Sequence, residues 1–449
     1  MAGALQVIRQ ALSETVVAAV AALECSGTEH REAEMRILLT AFGSRGDVQP
    51  MLALGLGLRK RGHDVVLGGA PNYRVRVEGL GLAFHEIGGD FEPWLKGQSV
   101  RNPFSTLGSL GVYLRDEVPL CFEQTCEAVC DADLVVTTIH LAAHSASETA
   151  GVPCRTVLYT PQLLPSRFHP PLAIPPQNLP GWLNHSLWWV MAQAFDLLFK
   201  GPVNRERAKL GLDPVSHFLE HARGRNPIVA GDAQLAALPA DVDDGIVQAS
   251  ALVMPVSGCL EPGVEAFLRE GTPPVYVGFG STPDARPAET ARMVSGAVRA
   301  TGRRALLCGG WAGLGGFQRA PEVLGIDEAP HALLFPRVAA VVHHGGAGTT
   351  AAALRAGVPQ VVIAHLGDQF YHGRRVQQLG VGRCIPRRRL NELRLAAAIQ
   401  EVLAEPGIAA RAGDLADRMR ENDGVGETID ALLSAHDASR HPVAGVTTR

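Results

Sequence analysis

A glycine-rich turn in the second half of the chain has the composition of an anion-binding loop. The apolar run Ala339–His343 predicts a strand, which continues into His344-Gly345-Gly346-Ala347-Gly348-Thr349-Thr350 and then into the helix-forming stretch Ala351–Ala356. Backbone N–H groups at such a helix start can approach an anion closely, and the helix dipole favours negative charge there. His343 adds an imidazole and either Thr349 or Thr350 a hydroxyl, so the turn is predicted to hold a diphosphate.

A carboxylate and an amide follow the next predicted strand. Seventeen residues beyond Thr350, after Gln360–Ile363, the chain reads Gly367-Asp368-Gln369. Asp368 can accept and Gln369 can donate hydrogen bonds to the vicinal hydroxyls of a sugar. The alternatives are structural: Asp368 as a helix cap, and the preceding glycines as sites of tight packing. The pairing of a phosphate-binding turn with a sugar-binding loop favours a nucleotide-sugar ligand.

One acidic side chain occupies the corresponding loop near the start of the chain. The predicted strand Arg36–Phe42 is followed by Gly43-Ser44-Arg45-Gly46-Asp47-Val48-Gln49-Pro50, which lacks the GxGxxG spacing of dinucleotide-binding loops. Transfer of a group to a hydroxyl needs a base that takes the hydroxyl proton, and Asp47 is the candidate. The residues alone favour a capping role for Asp47, before a helix predicted from Pro50 to Arg61.

The elements that must hold these loops are short apolar strands that alternate with longer helical stretches. One series begins at Arg36 and a second near Pro274, a pattern typical of parallel sheets with helices on both faces. Ligands of such sheets bind beyond the carboxyl ends of the strands, so both loops should line one cleft. The predicted fold class is therefore α/β, with two Rossmann-like doubly wound domains facing a cleft.

The length of the chain agrees with two domains. It has 449 residues, more than one hydrophobic core usually includes. The predicted boundaries are 1–34 for an N-terminal extension, 35–253 for the first domain, 254–263 for a linker, 264–425 for the second domain, and 426–449 for a C-terminal helix and tail.

Charge, cysteine content and hydropathy argue against several other classes. The net charge of −4 gives no basis for nucleic acid as a partner, because such binding depends on concentrated basic charge. The 8 cysteines include no CxxC pair, which indicates free thiols in a reducing compartment. The longest early apolar run, Thr15–Leu23, is too short to span a bilayer. A cytoplasmic protein with at most peripheral membrane contact is predicted.

Two acidic DxD patterns raise the question of a metal ion. Asp131-Ala132-Asp133 adjoins a predicted strand, and Asp241-Val242-Asp243 lies in a predicted loop. Turn and capping roles suit both positions better than metal ligation does. We therefore expect no metal and no other cofactor.

The segment His343–Gln369, with Ala356-Gly357-Val358-Pro359 inside it, resembles the donor-binding signature of family 1 glycosyltransferases of the GT-B fold. The resemblance extends through most of residues 35–435, and is nearest to bacterial enzymes that glycosylate antibiotic aglycones and to sterol glucosyltransferases. It implies that Asp47 is the catalytic base and that Asp368 and Gln369 bind the donor sugar. It further implies diphosphate binding by Ser281, His343, Gly346, Ala347, Gly348 and Thr349, and a nucleobase near Gly280, Glu328, Pro330 and His331.

Three positions differ from the plant members of that family. Glu328 stands where those enzymes carry a tryptophan that stacks on the base, and Ala351 where they carry a glutamate that binds the ribose. Uracil and thymine are therefore both open as the nucleobase. Plant enzymes also support a catalytic histidine with an aspartate whose equivalent is Thr137, and the resemblance implies that Asp47 carries the charge itself.

The acceptor is expected to be a hydrophobic small molecule. Apolar and aromatic side chains concentrate in Phe91–Val118 and Pro161–Trp189, and the second segment predicts a loop or lid. A covering flap without a ligand role is the alternative. Candidates for the acceptor pocket are His140, His144 and Trp182. The two histidines could also assist or replace Asp47, but an isolated histidine is seldom catalytic, so we expect one to line the pocket and the other to pack against the helix.

The expected function is therefore inverting transfer of a sugar from a UDP- or dTDP-sugar to a hydroxyl of a natural-product aglycone, by a monomer or homodimer. Two alternatives stay open. A sugar-nucleotide epimerase of GT-B-like fold would need further acids in the first-half site and would not need the apolar insertion. A noncatalytic sugar-nucleotide-binding protein would be favoured if Asp47→Asn left turnover unchanged.

Overall fold

Two parallel β-sheets form the framework of the protein. A computed structural model describes residues 34–90, 103–172, 174–256, 258–280, 286–309 and 322–440. Within these ranges the chain forms one sheet of seven strands and one of six, with helices between successive strands. This arrangement confirms the predicted α/β class with two doubly wound domains.

The first sheet is built from strands that lie between residues 36 and 249. They are β1 (Arg36–Thr40), β2 (Asp64–Gly69), β3 (Ala83–Glu86), β4 (Leu134–Thr137), β5 (Cys154–Leu158), β6 (Ile228–Ala230) and β7 (Val247–Ala249). Their order is β3-β2-β1-β4-β5-β6-β7, and every neighbouring pair is parallel. The order reverses beside β1, so a crevice opens beyond its carboxyl end, where Asp47 follows.

The helices of this half include one long helix and the helical part of the proline-rich insertion. They are α1 (Arg45–Lys60), α2 (Arg74–Gly79), α3 (Pro103–Val129), α4 (Ala143–Ala150), α5 (Gly181–Phe195), α6 (Gly201–Lys209), α7 (Phe218–Arg223) and α8 (Ala233–Ala236). A π-helical turn, Asp196–Lys200, joins α5 to α6.

The second sheet repeats the same topology. Its strands are β8 (Val275–Gly278), β9 (Ala305–Cys308), β10 (Val323–Ile326), β11 (Ala340–His343), β12 (Gln360–Ala364) and β13 (Gly382–Pro386), in the order β10-β9-β8-β11-β12-β13. The remaining helices are α9 (Pro262–Arg269), α10 (Pro287–Ala300), α11 (His331–Leu334), α12 (Ala347–Arg355), α13 (Gln369–Gln378), α14 (Glu392–Ala404), α15 (Pro406–Met419) and α16 (Gly424–Arg440). All neighbouring strands are again parallel.

The start of α1 differs from the prediction. The helix begins at Arg45, so Pro50 lies inside it rather than in its first turn. The Ser44 hydroxyl accepts from the Gly46 N–H at 3.3 Å, and the Asp47 carboxylate accepts from the Ser44 N–H at 2.8 Å. This reciprocal capping box starts the helix several residues before the proline. Pro50 was therefore a misleading start signal.

The core of the first domain lies between its sheet and two helices. Ile37 and Leu39 of β1 are fully buried and share this cluster with Ile429 and Leu432 of α16. A Cβ atom on Gly57 of α1 would overlap the Val425 side chain, so the glycine permits the close approach of α16. Helix α16 thus packs on the first domain.

A buried ion pair joins the two domains on the side of β6. Asp232, whose side chain is 0% exposed, accepts from Arg355 Nη2 at 2.6 Å. Asn422 Nδ2 donates to the same carboxylate oxygen at 3.1 Å. Because Arg355 ends α12, this contact fixes the glycine-rich turn at the other end of that helix relative to the first domain.

None of the helices that the structure describes has the length and apolarity needed to cross a membrane. No disulfide joins the cysteines of the described ranges.

Candidate active site

The glycine-rich turn leaves a helix start open. Strand β11 ends at His343, and α12 begins at Ala347 with Gly346 as an N-cap that makes no side-chain capping bond. The first amides of a helix have no carbonyl partner within the helix, so those of Ala347, Gly348 and Thr349 are oriented to receive an anion. The predicted diphosphate turn therefore has the required backbone geometry.

His343 lies beneath this turn and not in the cleft. Its side chain is fully buried, with Nε2 2.9 Å from Gln360 Oε1. The Gly345 N–H donates to its Nδ1 at 3.2 Å, so both ring nitrogens have protein partners. Burial is the main cause that lowers the pKa of His343 to about 3 and keeps the ring neutral. The geometry does not support the predicted contact of His343 with the donor phosphate.

His344 has the position that was predicted for its neighbour. Its ring lies between two glycines, because a Cβ atom on Gly280 would come within 2.7 Å of it and one on Gly346 within 2.5 Å. Its Nδ1 is buried and has no hydrogen-bond partner among the residues that the structure describes. Burial lowers its pKa to about 4, although the nearby Asp368 charge opposes this. A neutral ring with an unpartnered nitrogen is thus held beside the anion-binding turn.

Asp368 directly precedes α13 and carries a charge that its surroundings stabilise. Its side chain is 30% exposed, and one carboxylate oxygen lies 3.3 Å from His372 Nδ1. Burial raises the pKa of Asp368, but the His372 contact and the charges of His372 and His344 lower it below its ordinary value. The carboxylate therefore stays ionised at neutral pH. Asp368 makes no side-chain capping bond to α13.

Gln369 holds the loop before α13 in place. Its Oε1 accepts from the His365 N–H at 2.8 Å and from the Leu366 N–H at 3.1 Å, and the side chain is 6% exposed. The carbonyl end of this amide is therefore committed to the loop. The predicted contact with a sugar hydroxyl would therefore have to be made by Nε2 of Gln369.

The segment predicted to meet the nucleobase borders the same cleft. The rings of His331 and Phe335 stack with centroids 4.2 Å apart, directly after Pro330, which is the N-cap of α11. Glu328 forms an ion pair with Arg45 of the first domain at 2.6 Å. Gly280 has a φ of +56° and so suits a residue without a side chain, whereas Ser281 lies outside the described residues.

Asp47 belongs to the helix cap and also faces a cavity. Its Oδ2 accepts from the Ser44 N–H and also lies 3.1 Å from the Ser44 hydroxyl. Burial raises the pKa of Asp47 to about 6, opposed by the Ser44 hydrogen bonds and assisted by the negative charge of Asp368 across the cleft. The predicted alternative, that Asp47 caps α1, is thus confirmed in part, and it does not compete with a role in the cavity.

The cavity beside Asp47 is almost entirely apolar. Its volume is about 200 Å³, and it lies between the ends of the central strands and the inner face of α5. It is lined by Phe42, Asp47, Thr138, Ile139, Val157, Leu158, Tyr159, Leu163, Leu172, Trp188, Met191, Phe195 and Leu219. Asp47 is the only acidic side chain among these residues, so a hydroxyl bound here would meet a single carboxylate.

The three residues predicted for an acceptor pocket lie outside this lining. His140 Nδ1 accepts from the Ala142 and Ala143 N–H groups at 3.1 Å, and His144 Nε2 lies 2.8 Å from Thr156 Oγ1. Trp182 is 70% exposed, whereas Trp188, on the buried side of α5, lines the cavity. The two histidines thus have packing and capping roles, and the insertion contributes a different tryptophan.

Neither acidic DxD pattern forms a metal site. Asp133 accepts from the Arg36 N–H at 2.8 Å, and Asp241 accepts from the Ser166 hydroxyl and the Arg167 N–H at 2.7 Å. These contacts join distant segments, and the predicted local role is seen at Asp243, whose Oδ1 accepts from the Gly245 N–H at 3.0 Å. Across the described ranges, no group of three or more histidine, cysteine, aspartate or glutamate side chains could hold a metal ion. Metal independence itself stays a prediction.

Two protein-family models match the chain, one in each half. Residues 37–146 match the glycosyltransferase family 28 N-terminal domain, and residues 317–433 match the C-terminal domain of erythromycin biosynthesis protein CIII-like proteins. Glycosyltransferase GtfE of Amycolatopsis orientalis is 36% identical over 409 residues, which cover 89% of this chain and 98% of that protein. The chain belongs to this family of glycosyltransferases.

Further relatives place this glycosyltransferase with enzymes of natural-product metabolism. Vancomycin aglycone glucosyltransferase of the same organism is 36% identical over 78% of this chain and 85% of its own length. Sterol 3-beta-glucosyltransferase UGT80B1 of Arabidopsis thaliana is 29% identical over 89% of this chain and 68% of its own length. The enzyme is a nucleotide-sugar-dependent transferase with a small-molecule acceptor.

Solved structures confirm the GT-B fold of this glycosyltransferase. The glycosyltransferase VinC, solved in complex with dTDP, superposes with a TM-score of 0.67 at 19% identity, covering 90% of this chain and all of VinC (100%). The calicheamicin glycosyltransferase CalG4 superposes with a TM-score of 0.65 at 20% identity, covering 92% of this chain and 100% of CalG4.

Several residues of the glycosyltransferase site were not predicted. The position of His344 could have been predicted, because successive side chains of a strand point to opposite faces of the sheet. If His343 ends a buried strand with its ring inside, the next residue turns the other way. Trp188, Tyr159 and His372 carried no such signal, since only the folded chain brings them to the cleft.

Proposed function

We propose that this glycosyltransferase moves a sugar from a UDP- or dTDP-sugar to a hydroxyl of a hydrophobic small molecule, with inversion at the anomeric carbon and Asp47 as general base. The observation that carries the proposal is the position of Asp47. Its carboxylate borders the apolar cavity of the first domain, and the negative charge of Asp368 in the second domain raises its pKa. The acceptor and the donor sugar would therefore meet at this residue.

The proposed reaction is a single displacement. Asp47 takes the proton of the acceptor hydroxyl as that oxygen forms a bond to the anomeric carbon. The bond from the anomeric carbon to the diphosphate oxygen breaks, and its electron pair leaves with the nucleoside diphosphate. Attack from the side opposite the leaving group inverts the configuration.

The leaving group is expected to bind at the start of α12. The amides of Ala347, Gly348 and Thr349 would donate to the diphosphate, with the helix dipole adding positive potential. We assign the imidazole contact to His344, because its unpartnered Nδ1 lies beside the turn. Asp368 would accept hydrogen bonds from two sugar hydroxyls, since its carboxylate stays ionised.

The cavity supports a largely apolar acceptor. Hydrocarbon and aromatic side chains form nearly all of its wall, so a charged ligand would lose its hydration without compensation. The relatives named for vancomycin aglycone and for sterols also act on bulky acceptors. VinC was solved with dTDP, which supports a thymine nucleotide as one donor for the present enzyme.

Asp47→Asn is the test of the base. The amide can still accept from the Ser44 N–H, so the helix cap is retained while the basic group is lost. We expect kcat to fall by about 10²- to 10⁴-fold, the usual contribution of general base catalysis. Release of nucleoside diphosphate would be followed with wild-type protein, Asp47→Asn and the control Asp131→Asn, whose side chain is 75% exposed.

The acceptor and the stereochemistry are read in the same assay. Donor turnover would be measured with and without a panel of hydroxylated aglycones, and the anomeric configuration of the product determined by NMR. Equal turnover by wild type and Asp47→Asn would overturn the role of Asp47, and a retained configuration would overturn the single displacement. Epimerised donor formed without any acceptor would support the epimerase alternative.

Metal independence is proposed because the helix start and His344 can take over the stabilisation of the diphosphate. Activity in excess EDTA is expected to stay within about twofold of the untreated rate, since no metal contributes to leaving-group stabilisation. The measurement is nucleoside diphosphate release before and after chelation. Loss of activity that manganese restores would contradict the proposal.

A further inference from the structure

One buried histidine touches both loops of the donor site. His372 lies on α13, one helical turn after Asp368, and its side chain is 1% exposed. Its Nδ1 is 3.0 Å from the carbonyl oxygen of Gly345 and 3.3 Å from Oδ2 of Asp368. The first belongs to the turn that precedes α12, and the second is the carboxylate proposed to bind the sugar.

The two oxygen atoms beside His372 determine which ring nitrogen carries a hydrogen. A carbonyl oxygen and an ionised carboxylate are both acceptors, so the nitrogen that faces them must carry the hydrogen. Nδ1–H of His372 can therefore be shared between the two oxygens. An aliphatic side chain of similar size would leave the buried carbonyl of Gly345 without this donor.

The backbone around Gly345 is as confined as the ring. Gly345 has a φ of +96°, which favours glycine, and a Cβ atom there would come within 3.1 Å of the Gln369 carbonyl oxygen. The turn and the start of α13 are therefore in direct contact. His372 adds a hydrogen bond between the same two segments.

We propose that His372 is a positioning residue that sets the distance and orientation between the diphosphate turn and the Asp368 carboxylate. It acts through Gly345 and Asp368 and does not touch the donor. The inference rests on the proposed function, because that function assigns the sugar to Asp368 and the diphosphate to α12.

The electrostatics of Asp368 agree with this role. Burial raises the pKa of this carboxyl, and the hydrogen bond and charge of His372 are the first influences that lower it. An Asp368 side chain without His372 would lose both its orientation and part of its stabilisation. The diphosphate amides of α12 would remain, so the sugar should be affected more than the nucleotide.

The experiment compares two substitutions of the same residue. His372→Asn keeps an N–H group near the position of Nδ1, whereas His372→Leu removes it and keeps a similar volume. Gln377→Leu is the matched control, because it introduces the same side chain at an exposed position of the same helix. Thermal unfolding of each variant identifies any loss of folded protein.

Two measurements separate positioning from general damage. Calorimetry would give the affinity for the nucleoside diphosphate and for the complete nucleotide sugar, with UDP, dTDP and their glucose conjugates as probes. Steady-state assays would give kcat, KM for the donor, and the preference between glucose and galactose donors. For His372→Leu we expect kcat to fall by about 10- to 100-fold, because small misplacements of reacting groups have effects of this size.

The His372→Leu variant should bind the nucleoside diphosphate within about threefold of wild type, a change in binding free energy of less than about 0.7 kcal/mol. It should lose more affinity for the nucleotide sugar than for the nucleoside diphosphate, and it should lose its preference between glucose and galactose donors. His372→Asn should restore kcat to within about fivefold of wild type. Equal defects in the two variants, or equal loss of both ligands with an unchanged donor preference, would assign His372 a merely structural role.

Two further measurements apply if His372→Leu does not fold or if the wild type does not transfer a sugar. Should His372→Leu not fold, His372→Gln replaces it, since its amide lies one carbon farther along and should rescue less than asparagine. Should the wild type bind nucleotide sugars without transferring them, the proposed function fails. The calorimetric difference between nucleotide and nucleotide sugar would then still decide the role of His372.

Discussion

The starts of α1 and α12 are the same kind of structure used in opposite ways. Both follow a central strand, β1 and β11, and both border the cleft. At the start of α1, the Ser44 hydroxyl accepts from the Gly46 N–H and the Asp47 carboxylate accepts from the Ser44 N–H, so side chains of the protein cap this helix. The start of α12 has only Gly346, without a side-chain cap. Capping therefore decides which domain can bind an anion and which presents a carboxylate.

The same contrast appears in the two aspartates that face each other across the cleft. Burial raises the pKa of Asp47 to about 6, because it adjoins an apolar cavity. Burial raises the pKa of Asp368 as well, but His372 and His344 outweigh it and lower that pKa below its usual range. One carboxyl is thus suited to exchange a proton near neutral pH, and the other to remain an acceptor.

The largest effect that would sharpen this contrast is expected from the adjacent histidines. For His344→Ala we expect kcat/KM for the donor to fall about 10- to 100-fold, because a hydrogen bond to a charged group contributes about 1.5–3 kcal/mol. For His343→Ala we expect a fall in the free energy of unfolding of about 2–4 kcal/mol, since Gln360 and Gly345 lose a buried partner. Steady-state kinetics and denaturant unfolding separate the two outcomes.

The reverse pattern would contradict the assignment. A stable His343→Ala protein with a large kinetic defect would return the phosphate contact to His343. Kinetics that stay at the wild-type level in His344→Ala would remove the imidazole from the donor site.

The fold was predictable because its strands are buried on both faces. The strands β1, β8 and β11 are mostly apolar and almost wholly buried, and the predicted ends agree with the observed ones within two residues. Strands β6 and β7 have only three residues each, and β13 includes Arg383 and Pro386, so neither length nor hydropathy distinguished them. Short or mixed strands depend on their neighbours in the sheet for identity.

The site was predictable where backbone geometry determines it. Glycines at a strand end indicated the anion-binding turn, whereas the residues alone favoured a capping role for Asp47 and only the family resemblance implied a base. The roles of side chains were less accessible, because His343 and His344 differ only in which face of the strand end they occupy. His140 and His144 were attractive as polar residues near the first site, yet one ring nitrogen of each is engaged, by local amides in His140 and by Thr156 in His144, and neither side chain lines the cavity.

A smaller effect is expected in the pH dependence of the reaction. Asp47 accepts a proton only when ionised, and its pKa of about 6 places that ionisation in an accessible range. The rate kcat/KM should therefore rise with pH through about 6, and at pH 5 it should be about tenfold below its plateau. Asp368 has a lowered pKa and should add no titration in this window.

The profile is measured from pH 4.5 to 8.5 with one donor and one acceptor. Asp47→Asn should lose this rise and keep a low residual rate. A rise centred near pH 4 would contradict the influence of the apolar cavity on Asp47. A rise near pH 6 that persists in Asp47→Asn would assign the titration to another group.

The smallest effect is expected from the ion pair that joins the start of α1 to the segment before α11. Arg45 and Glu328 are 2.6 Å apart, but their side chains are 37% and 61% exposed. An exposed pair contributes up to about 1 kcal/mol, so a double-mutant cycle with Arg45→Ala and Glu328→Ala should give a coupling energy below that value. The coupling should weaken further in high salt.

A weak pair at this edge is what the entry of a donor requires. The family resemblance implies a nucleobase near Glu328, so a contact that opens at little cost in free energy would leave this edge accessible to the donor. The buried pair of Asp232 and Arg355 holds the domains together at the far end of α12, with a side-chain exposure of 0% for the aspartate. A coupling energy well above 1 kcal/mol for Arg45 and Glu328 would mean that the cleft is closed by this edge and that donor binding must break it.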